Sequence, residues 1–323
     1  MRAAVVYAPG EPPTYGEHPS PTPQRGRSVV RVMAAPVVPL DLLCASGTSY
    51  FGAPSTPYVP GVQGVGVVER SLVHPAGTRV WFATSAGMVP GDGSLAELCG
   101  AADDDLIPVG PGLSDAALAA LGLSAVAAWM SLTWRAHVRP GEAVLVLGAG
   151  GAVGQTAVGA AQVLGARRVV AVCRSAEARS RALEAGADDV VEMTSDPDEL
   201  TRRLEAACHG GVDVVVDPVF GPAATAASRV LADRGRLVNI GSAGGADAAF
   251  SSAVLRSRSA EILGYTNNAL TGDQRRDALL AVVGHAEAGR LAVAHTCLPL
   301  SQVEEAWRAT GAGEPGLRHI LRP

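Results

Sequence analysis

Apolar positions along the chain fall into two regimes. Up to about Gly112 they come as short β-branched runs, at residues 1–7, 28–33, 64–69, 78–82 and 96–100, separated by turn clusters such as Ala53-Pro54-Ser55-Thr56-Pro57. Short runs bounded by Gly and Pro predict strands, and helix-length periodicity is scarce there, so this part reads as an irregular β domain. From Ser114 the pattern changes. Ser114 fits the N-cap of an Ala- and Leu-rich helical region that ends before Arg139-Pro140-Gly141.

Beyond that point an apolar run, a turn and a helix recur. Residues 143–147 are continuously apolar, Gly148 to Gly154 form a glycine turn, and a helix continues through Leu164-Gly165. A second strand covers 168–172, and Ser175 caps a helix that stops at Gly186. Asp196-Pro197-Asp198-Glu199 has the form of a capping box with proline at the first helical position, opening a helix to about Cys208. Residues 213–216 and 236–240 are further strands on either side of a helix at 222–231. Runs apolar on both faces that alternate with helices predict a parallel sheet covered on both sides. Thr271-Gly272-Asp273-Gln274 and Ser301-Gln302-Val303-Glu304 open two late helices, and 318–321 is a final strand.

Length and composition narrow the function classes. At roughly 150 residues per domain, 323 residues predict two domains, and 48% hydrophobic against 18% charged residues predicts packed cores. The net charge is −5 and no arginine run exceeds two, which argues against a nucleic-acid partner. All 26 basic residues are arginine, so Schiff-base chemistry, a lysine general base and a P-loop are excluded. The five cysteines lie far apart with no CxxC spacing, which predicts neither a disulfide framework nor a metal knuckle and places the chain in a reducing compartment, the cytoplasm. The first apolar stretch is too short for a signal peptide. The longest uncharged run, 116–134, is alanine-rich and interrupted by Gly122, Ser124, Ser131 and Thr133, so it predicts a buried helix and no membrane association.

The main chemical signal is Val144-Leu145-Val146-Leu147-Gly148-Ala149-Gly150-Gly151-Ala152-Val153-Gly154. It lies between a buried strand and a helix, where a pyrophosphate meets free backbone N–H groups and the positive end of a helix dipole. Gly148, Gly150, Gly151, Ala152, Val153 and Gly154 are the candidate phosphate-binding residues. Their spacing is GxxGxxG, since Val153 occupies the last position of the common GxGxxG pattern. An NAD site usually places an acid at the end of the second strand; here Cys173-Arg174-Ser175 stands there and no acid appears before Glu177. Arg174, Ser175 and Arg179 suit a 2′-phosphate, which predicts NADPH as cofactor.

With these elements in order, the sequence resembles the medium-chain dehydrogenase/reductase superfamily, in its zinc-free quinone oxidoreductase and enoyl reductase branch, the zeta-crystallin-like proteins. The likeness rests on Val37-Val38-Pro39-Leu40-Asp41 followed by Gly47, on Pro60-Gly61-Val62-Gln63-Gly64-Val65-Gly66-Val67-Val68, on Ser94-Leu95-Ala96-Glu97, on the glycine turn, on Val214-Val215-Val216-Asp217 and on Gly235-Arg236-Leu237-Val238. The resemblance implies an α/β protein: a GroES-like β catalytic domain with an inserted Rossmann dinucleotide-binding domain and the nicotinamide in the cleft between them. The expected division is residues 1–118 for the first part of the catalytic domain, 119–256 for the NADPH-binding domain, and 257–323 for the last Rossmann strand and the return to the catalytic domain. It also implies a homodimer, places Asn239, Gly241, Ser242 and Asn267 beside the reactive end of the cofactor, sets Ser124 near the nicotinamide, and puts Arg318 at the family's C-terminal basic position.

The departures from the family pattern are specific. Val38 stands where zinc-dependent relatives have Cys and many zinc-free relatives have Asn, and Val62-Gln63 replaces a His-Glu pair. No metal is therefore expected. Without one, hydride transfer requires an acceptor that is already electrophilic, a quinone or an alkene conjugated to a carbonyl, with hydrogen-bond donors for the developing enolate. Tyr50, which resembles the family's Gly-x-Tyr position with one additional residue, and Ser124 are the candidate catalytic donors; a cleft-lining aromatic and a helix-satisfying hydroxyl are the plainer readings of the two. A zinc-free alcohol or ketone reductase, or a silent cofactor-binding protein that kept the fold, are the alternatives.

Overall fold

The computed structural model describes residues 1–313 and 317–323. β1 (Arg2–Val5) and β2 (Thr14–Glu17) pair antiparallel as a separate ribbon. The run at 28–33 becomes a ten-residue strand, β3 (Arg27–Pro36), whose valines and alanines are buried while Met33 is exposed. A helix then appears where none was expected, α1 (Pro39–Ser46). Its signal is local: proline occupies the first position, and the Asp41 carboxylate Oδ2 accepts the Val38 N–H at 2.8 Å, closing the first turn. β4 (Gln63–Arg70), β5 (Arg79–Ala83), β6 (Leu98–Ala102) and β7 (Leu106–Pro108) follow. α2 (Asp115–Met130) starts with Ser114 Oγ accepting the Ala117 N–H at 3.2 Å, is broken at Gly122 (φ 32°) and continues into a π-helical turn, Ser131–Arg135. The stretch Asp115–Arg135 is long and apolar enough to cross a membrane, and 78% of its most apolar window is buried inside the protein.

The alternating part runs β8 (Ala143–Leu147), α3 (Ala152–Val163), β9 (Arg168–Cys173), α4 (Ala176–Glu184), β10 (Asp189–Glu192), α5 (Pro197–Cys208), β11 (Val212–Asp217), α6 (Gly221–Arg229), β12 (Leu231–Asn239), α7 (Ser252–Arg258), β13 (Glu261–Gly264) and α8 (Gly272–Glu287). The chain closes with β14 (His295–Pro299), α9 (Val303–Gly311) and β15 (Arg318–Arg322). The helix expected at 222–231 ends at Arg229, because β12 begins at Leu231. The late helix expected from Ser301 begins at Val303, after a 3-10 turn at Leu300–Gln302.

Two compact units result, Met1–Gly122 with Ala294–Pro323, and Leu123–Val293. In the first, β14-β15-β3-β4-β5-β7 form one sheet, and β6 also pairs with β3. Val30, Val32, Val68, Val80, Phe82 and Leu106 pack there against Val303 and Trp307 of α9. This is the GroES-like β domain. The second unit holds a six-stranded sheet in the order β10-β9-β8-β11-β12-β13, with every pair parallel. Ranked by chain position that order is 3-2-1-4-5-6, the doubly wound Rossmann topology, which reverses direction between β8 and β11. The second unit extends past residue 256 to Val293, because β13 pairs with β12 from Arg236 opposite Glu261 to Asn239 opposite Gly264.

β8 lies at the centre of that sheet and all five of its residues are buried. Leu145 and Leu147 join Val170, Val172 and Val215 in a core closed by Leu200 and Leu204 of α5 and Ala223 to Ala227 of α6. Burying each such Leu or Val stabilises the unit by about 1.5–3 kcal/mol, and this packing fixes the carboxyl ends of β8, β9, β11 and β12 relative to one another.

Candidate functional site

In an open parallel sheet ligands bind at the carboxyl ends of the strands, at the point where strand order reverses. The glycine turn occupies that point. It leaves β8 at Gly148, whose φ of 62° is a left-handed value that favours glycine, and whose missing Cβ would lie 2.8 Å from Val219 Cγ2. The Ala149 N–H donates to Val172 O and the Gly151 N–H to Gly148 O, both at 3.1 Å, so the turn is tied to β9 and to itself. A Cβ on Gly150 would lie 2.3 Å from Ala178 Cβ, which brings the turn against the first turn of α4. Gly151 is the N-cap of α3 with no side chain capping it, Ala152 and Val153 begin the helix, and Gly154 sits in its first turn. The first N–H groups of α3 lack intrahelical partners and face the turn. These residues fit a pyrophosphate, and the spacing read from the sequence is realised in one place.

The next strand end carries the residues expected for a 2′-phosphate, and the structure separates their roles. Arg174 is exposed and forms no ion pair among the described residues. Ser175 Oγ accepts the Ala178 N–H at 3.2 Å as the N-cap of α4. Arg179 is directed to Glu192 of β10, with Nη1 3.6 Å from Oε2.

On the far side of the reversal, Asp217 ends β11 fully buried. Its Oδ1 accepts the N–H groups of Val219 (2.9 Å) and Phe220 (2.7 Å). Burial pushes this carboxyl up from its ordinary value, and the Phe220 and Val219 N–H groups oppose that. The bonds hold Val219 against Gly148, so Asp217 shapes the turn from a neighbouring strand. Asn239, at the end of β12, donates to Gly241 O at 2.7 Å and to Asp217 O at 3.4 Å, linking the two strand ends. Ser242 is exposed in the loop that follows.

Past β13, Tyr265 donates its hydroxyl to Asn267 Oδ1 at 2.6 Å, and Asn267 Nδ2 donates to Leu123 O at 3.1 Å. The second bond fixes the residue that precedes Ser124, so Asn267 and Ser124 are brought together across 143 positions of sequence, as Asn267 and Leu123 are across 144. Trp134 meets the Tyr265 ring edge-on, 6.2 Å between centroids. A cavity of about 670 Å³ opens at the opposite, amino-terminal ends of β11 and β12, beside Gly211, Asp213 and Ala232. It is separate from the glycine turn.

In the first unit, Tyr50 is 77% exposed and lies against the Phe51 ring, with 4.2 Å between centroids. Arg318 is held inside the same unit: Nη1 donates to Val37 O at 3.1 Å, beside Asp41. Asp41 is buried and accepts from Val38 N (2.8 Å) and Val62 N (2.9 Å). Burial pushes its carboxyl up to about 6, against the pull of those N–H groups and the Arg318 charge. Burial also lowers Arg318 to about 10, with Asp41 opposing. Gln63, which replaces the family's Glu, is buried and accepts the Trp81 indole N–H at 3.3 Å.

Comparison with known proteins agrees with this geometry. A quinone oxidoreductase from Thermus thermophilus, also solved as its complex with NADPH, is 29% identical and superposes over 100% of both chains with a TM-score of 0.84. The family model described as zinc-binding dehydrogenase matches residues 152–290. Together these matches make the chain similar, over its whole length, to the medium-chain dehydrogenase/reductase superfamily. Among curated members of that superfamily, the quinone oxidoreductase of Pongo abelii is 28% identical over 251 residues, 76% of this chain and 74% of that protein. One subunit of a phenolphthiocerol/phthiocerol polyketide synthase from Mycobacterium tuberculosis is 29% identical over 296 residues, 90% of this chain and 13% of that protein. The superfamily model's description names zinc, but no group of three or more His, Cys, Asp or Glu among the described residues is placed to hold a metal ion. Val38 and Val62, at the positions of the superfamily's metal ligands, offer no donor atom, so the residues present do not fit a zinc centre.

Sequence reasoning gives no individual role to three residues whose surroundings the structure makes specific. Asp217 is visible there only as a strand end. Tyr265 belongs to a segment whose bonds no local pattern reports. Arg181, on α4, carries no signal of its own.

Proposed function

We propose that the chain is an NADPH-dependent oxidoreductase that reduces quinones or carbonyl-conjugated alkenes without zinc, acting as a cytoplasmic homodimer. The observation that carries the reading is the strand end beside the glycine turn, where Arg174 and Ser175 stand in place of an acid. A carboxylate there would repel a 2′-phosphate; an exposed guanidinium attracts it. The NADPH complex of the Thermus thermophilus quinone oxidoreductase supports the cofactor assignment. Four buried free cysteines and one exposed one suit a reducing compartment.

When bound, NADPH supplies a hydride to an acceptor that needs no metal to polarise it. The chain's own residues supply position. The N–H groups at the start of α3 and the glycine turn would hold the pyrophosphate, and Arg174 would meet the ribose phosphate. Asn239 and Asn267 order the backbone around the reactive end, and the Ser124 hydroxyl is the proposed hydrogen-bond donor to the acceptor oxygen. Gln63, committed to Trp81, keeps the first unit's framework without a charge.

The test is oxidation of NADPH by the purified protein, followed through the loss of reduced-nicotinamide absorbance with a panel of quinones, enones, aldehydes and ketones. Turnover of quinones or enones that survives exhaustive chelation supports the reading. Turnover of aldehydes and ketones alone favours an alcohol/ketone reductase, and tight NADPH binding with no turnover on any acceptor favours a silent binding protein. The similarity to part of a polyketide synthase keeps acyl thioester enones on the panel.

A further inference from the structure

Arg179 and Arg181 leave α4 on opposite flanks of the face that Ala178 and Ala182 bury. Their situations differ. Arg179 is committed to Glu192. Arg181 forms no ion pair among the described residues, and its Nε and Nη2 are buried without a hydrogen-bond partner. Leaving such groups unmatched is costly, and more so for a charged one. A leucine at the same place, on the flank of an otherwise alanine-lined helix face, would avoid that cost. A cation kept there without a protein acceptor needs another reason.

Its position supplies one. Helical side chains lean towards the helix N-terminus, so the Arg181 guanidinium reaches back along α4 towards Ala178. Ala178 is the residue that meets Gly150, so this is where the glycine turn touches α4. The charges of both Arg181 and Arg179 reach the Cys173 thiol at the end of β9 and Glu177 in the first turn of α4, and what separates the two is that Arg181 has buried N–H groups without a partner while Arg179 is paired. Cys173 Sγ in turn donates to Ala178 O at 3.4 Å. The guanidinium therefore stands at the corner of β9, α4 and the glycine turn. Glu177 is one turn away on the same helix, yet does not form an ion pair with it. The corner holds two cations, Arg174 and Arg181, and among the described residues no carboxylate is paired with either.

We propose that Arg181 is the specificity-determining cation for the phosphorylated ribose of the dinucleotide, working with Arg174, while Arg179 is a clamp that holds β10. This rests on the cofactor reading above and changes its residue set: the second phosphate-binding arginine is the one with unmatched N–H groups, not the one already paired. The bound phosphate supplies the missing acceptor after a side-chain rotation that brings Nε or Nη2 to the surface.

The experiment measures dissociation constants of the full-length chain for NADPH, NADH and adenosine 2′,5′-bisphosphate, which keeps the phosphorylated ribose and lacks the nicotinamide. Arg181→Leu is expected to weaken NADPH and the bisphosphate by about tenfold or more and to leave NADH within about twofold, with Arg181→Lys recovering part of the loss. Arg179→Gln is expected to shift the NADPH-to-NADH ratio by less than about twofold, because its charge is already engaged. Without nucleotide, Arg181→Leu should melt at a higher temperature than the parent; should it fail to fold, Arg181→Gln carries the same comparison. An unchanged ratio in Arg181→Leu, or equal weakening of NADPH and NADH, overturns the inference. A parent protein that prefers NADPH while Arg181→Leu keeps that preference removes this inference alone. A parent protein with no preference for NADPH removes the cofactor reading, and this inference with it.

Discussion

The N–H of Phe220 donates to Oδ1 of Asp217 at 2.7 Å, and the bond holds Phe220 at φ 60°, a backbone value that a bulky side chain seldom adopts. Strain of this kind costs on the order of 1–3 kcal/mol and persists only where the surroundings enforce it. Here the enforcing group is a buried carboxylate that also fixes Val219 against Gly148. Asp217→Ala should therefore destabilise the protein by about 2–4 kcal/mol, since two N–H groups of a strained turn lose their acceptor. It should also weaken dinucleotide binding. Denaturant unfolding and a nucleotide titration check both; a variant as stable as the parent would show that the loop holds itself.

Gly150 and Ala178 meet so closely that a Cβ on Gly150 would press on both the Cβ and the Cα of Ala178, at 2.3 and 2.8 Å. Gly150→Ala is expected to lower nucleotide affinity by about tenfold and to lower the melting temperature, because either α4 or the turn must shift. Adding Ala178→Gly should recover only part of the affinity, because the new methyl group would still lie 2.8 Å from the Cα of residue 178. The double-mutant cycle reads this directly: a coupling near zero would mean that the turn accommodates the methyl group elsewhere.

Asn267 serves two groups at once, the Tyr265 hydroxyl and the Leu123 carbonyl. Asn267→Ala should cost about 1–3 kcal/mol of stability through the unmatched hydroxyl. Because the loss falls beside Ser124 and not beside the pyrophosphate turn, kcat should drop by about tenfold or more while the dissociation constant of the dinucleotide changes little. Steady-state kinetics alongside a binding titration separate the two.

The Asp41 carboxyl in the first unit has a pH signature. Its folded value of about 6 lies above the ordinary value of an unfolded chain, about 3.9. A raised carboxyl contributes stability that is complete below about pH 4 and is lost as pH rises through about 6. The stability of the parent relative to Asp41→Asn should fall across that window, by at most about 1.4 kcal/mol per pH unit, and level off above it. Arg318, lowered to about 10, keeps its charge throughout. Unfolding curves between those pH values, run on both proteins, decide the matter, and a rising difference would contradict the assignment.

Much of the second unit is legible in the sequence because its strands are long, apolar on both faces and punctuated by glycine, which is what a covered parallel sheet requires. β10 and α7 of that unit, and β14 of the first, are not. β10 is four residues with acids at both ends, α7 buries none of its residues fully, and β14 is a half-exposed edge strand, so none carries a strong period. Missing β10 has a further effect. With Glu192 unplaced, Arg179 reads as an available cation, and its ion pair comes to light only with the strand that bears the acid. Arg181 is silent for a related reason: its meaning lies in which atoms are buried and unmatched, and that depends on how α4 packs on the turn at Gly150. Asp41 and Arg318 are neighbours in space and 277 residues apart in sequence, which no local pattern reports.

β15 pairs with the end of β3, Ile320 opposite Pro36 and Leu321 opposite Ala35, while the whole of Leu123–Val293 lies between them in the chain. On the ribosome, then, the Rossmann unit is made in full before the first unit can receive its last strands. During that interval the end of β3 presents an open edge of unpaired backbone groups, of the kind that recruits other nascent chains. Shielding that edge until translation delivers β15 is a burden on the cell's folding helpers that a contiguous arrangement of the same two units would not impose.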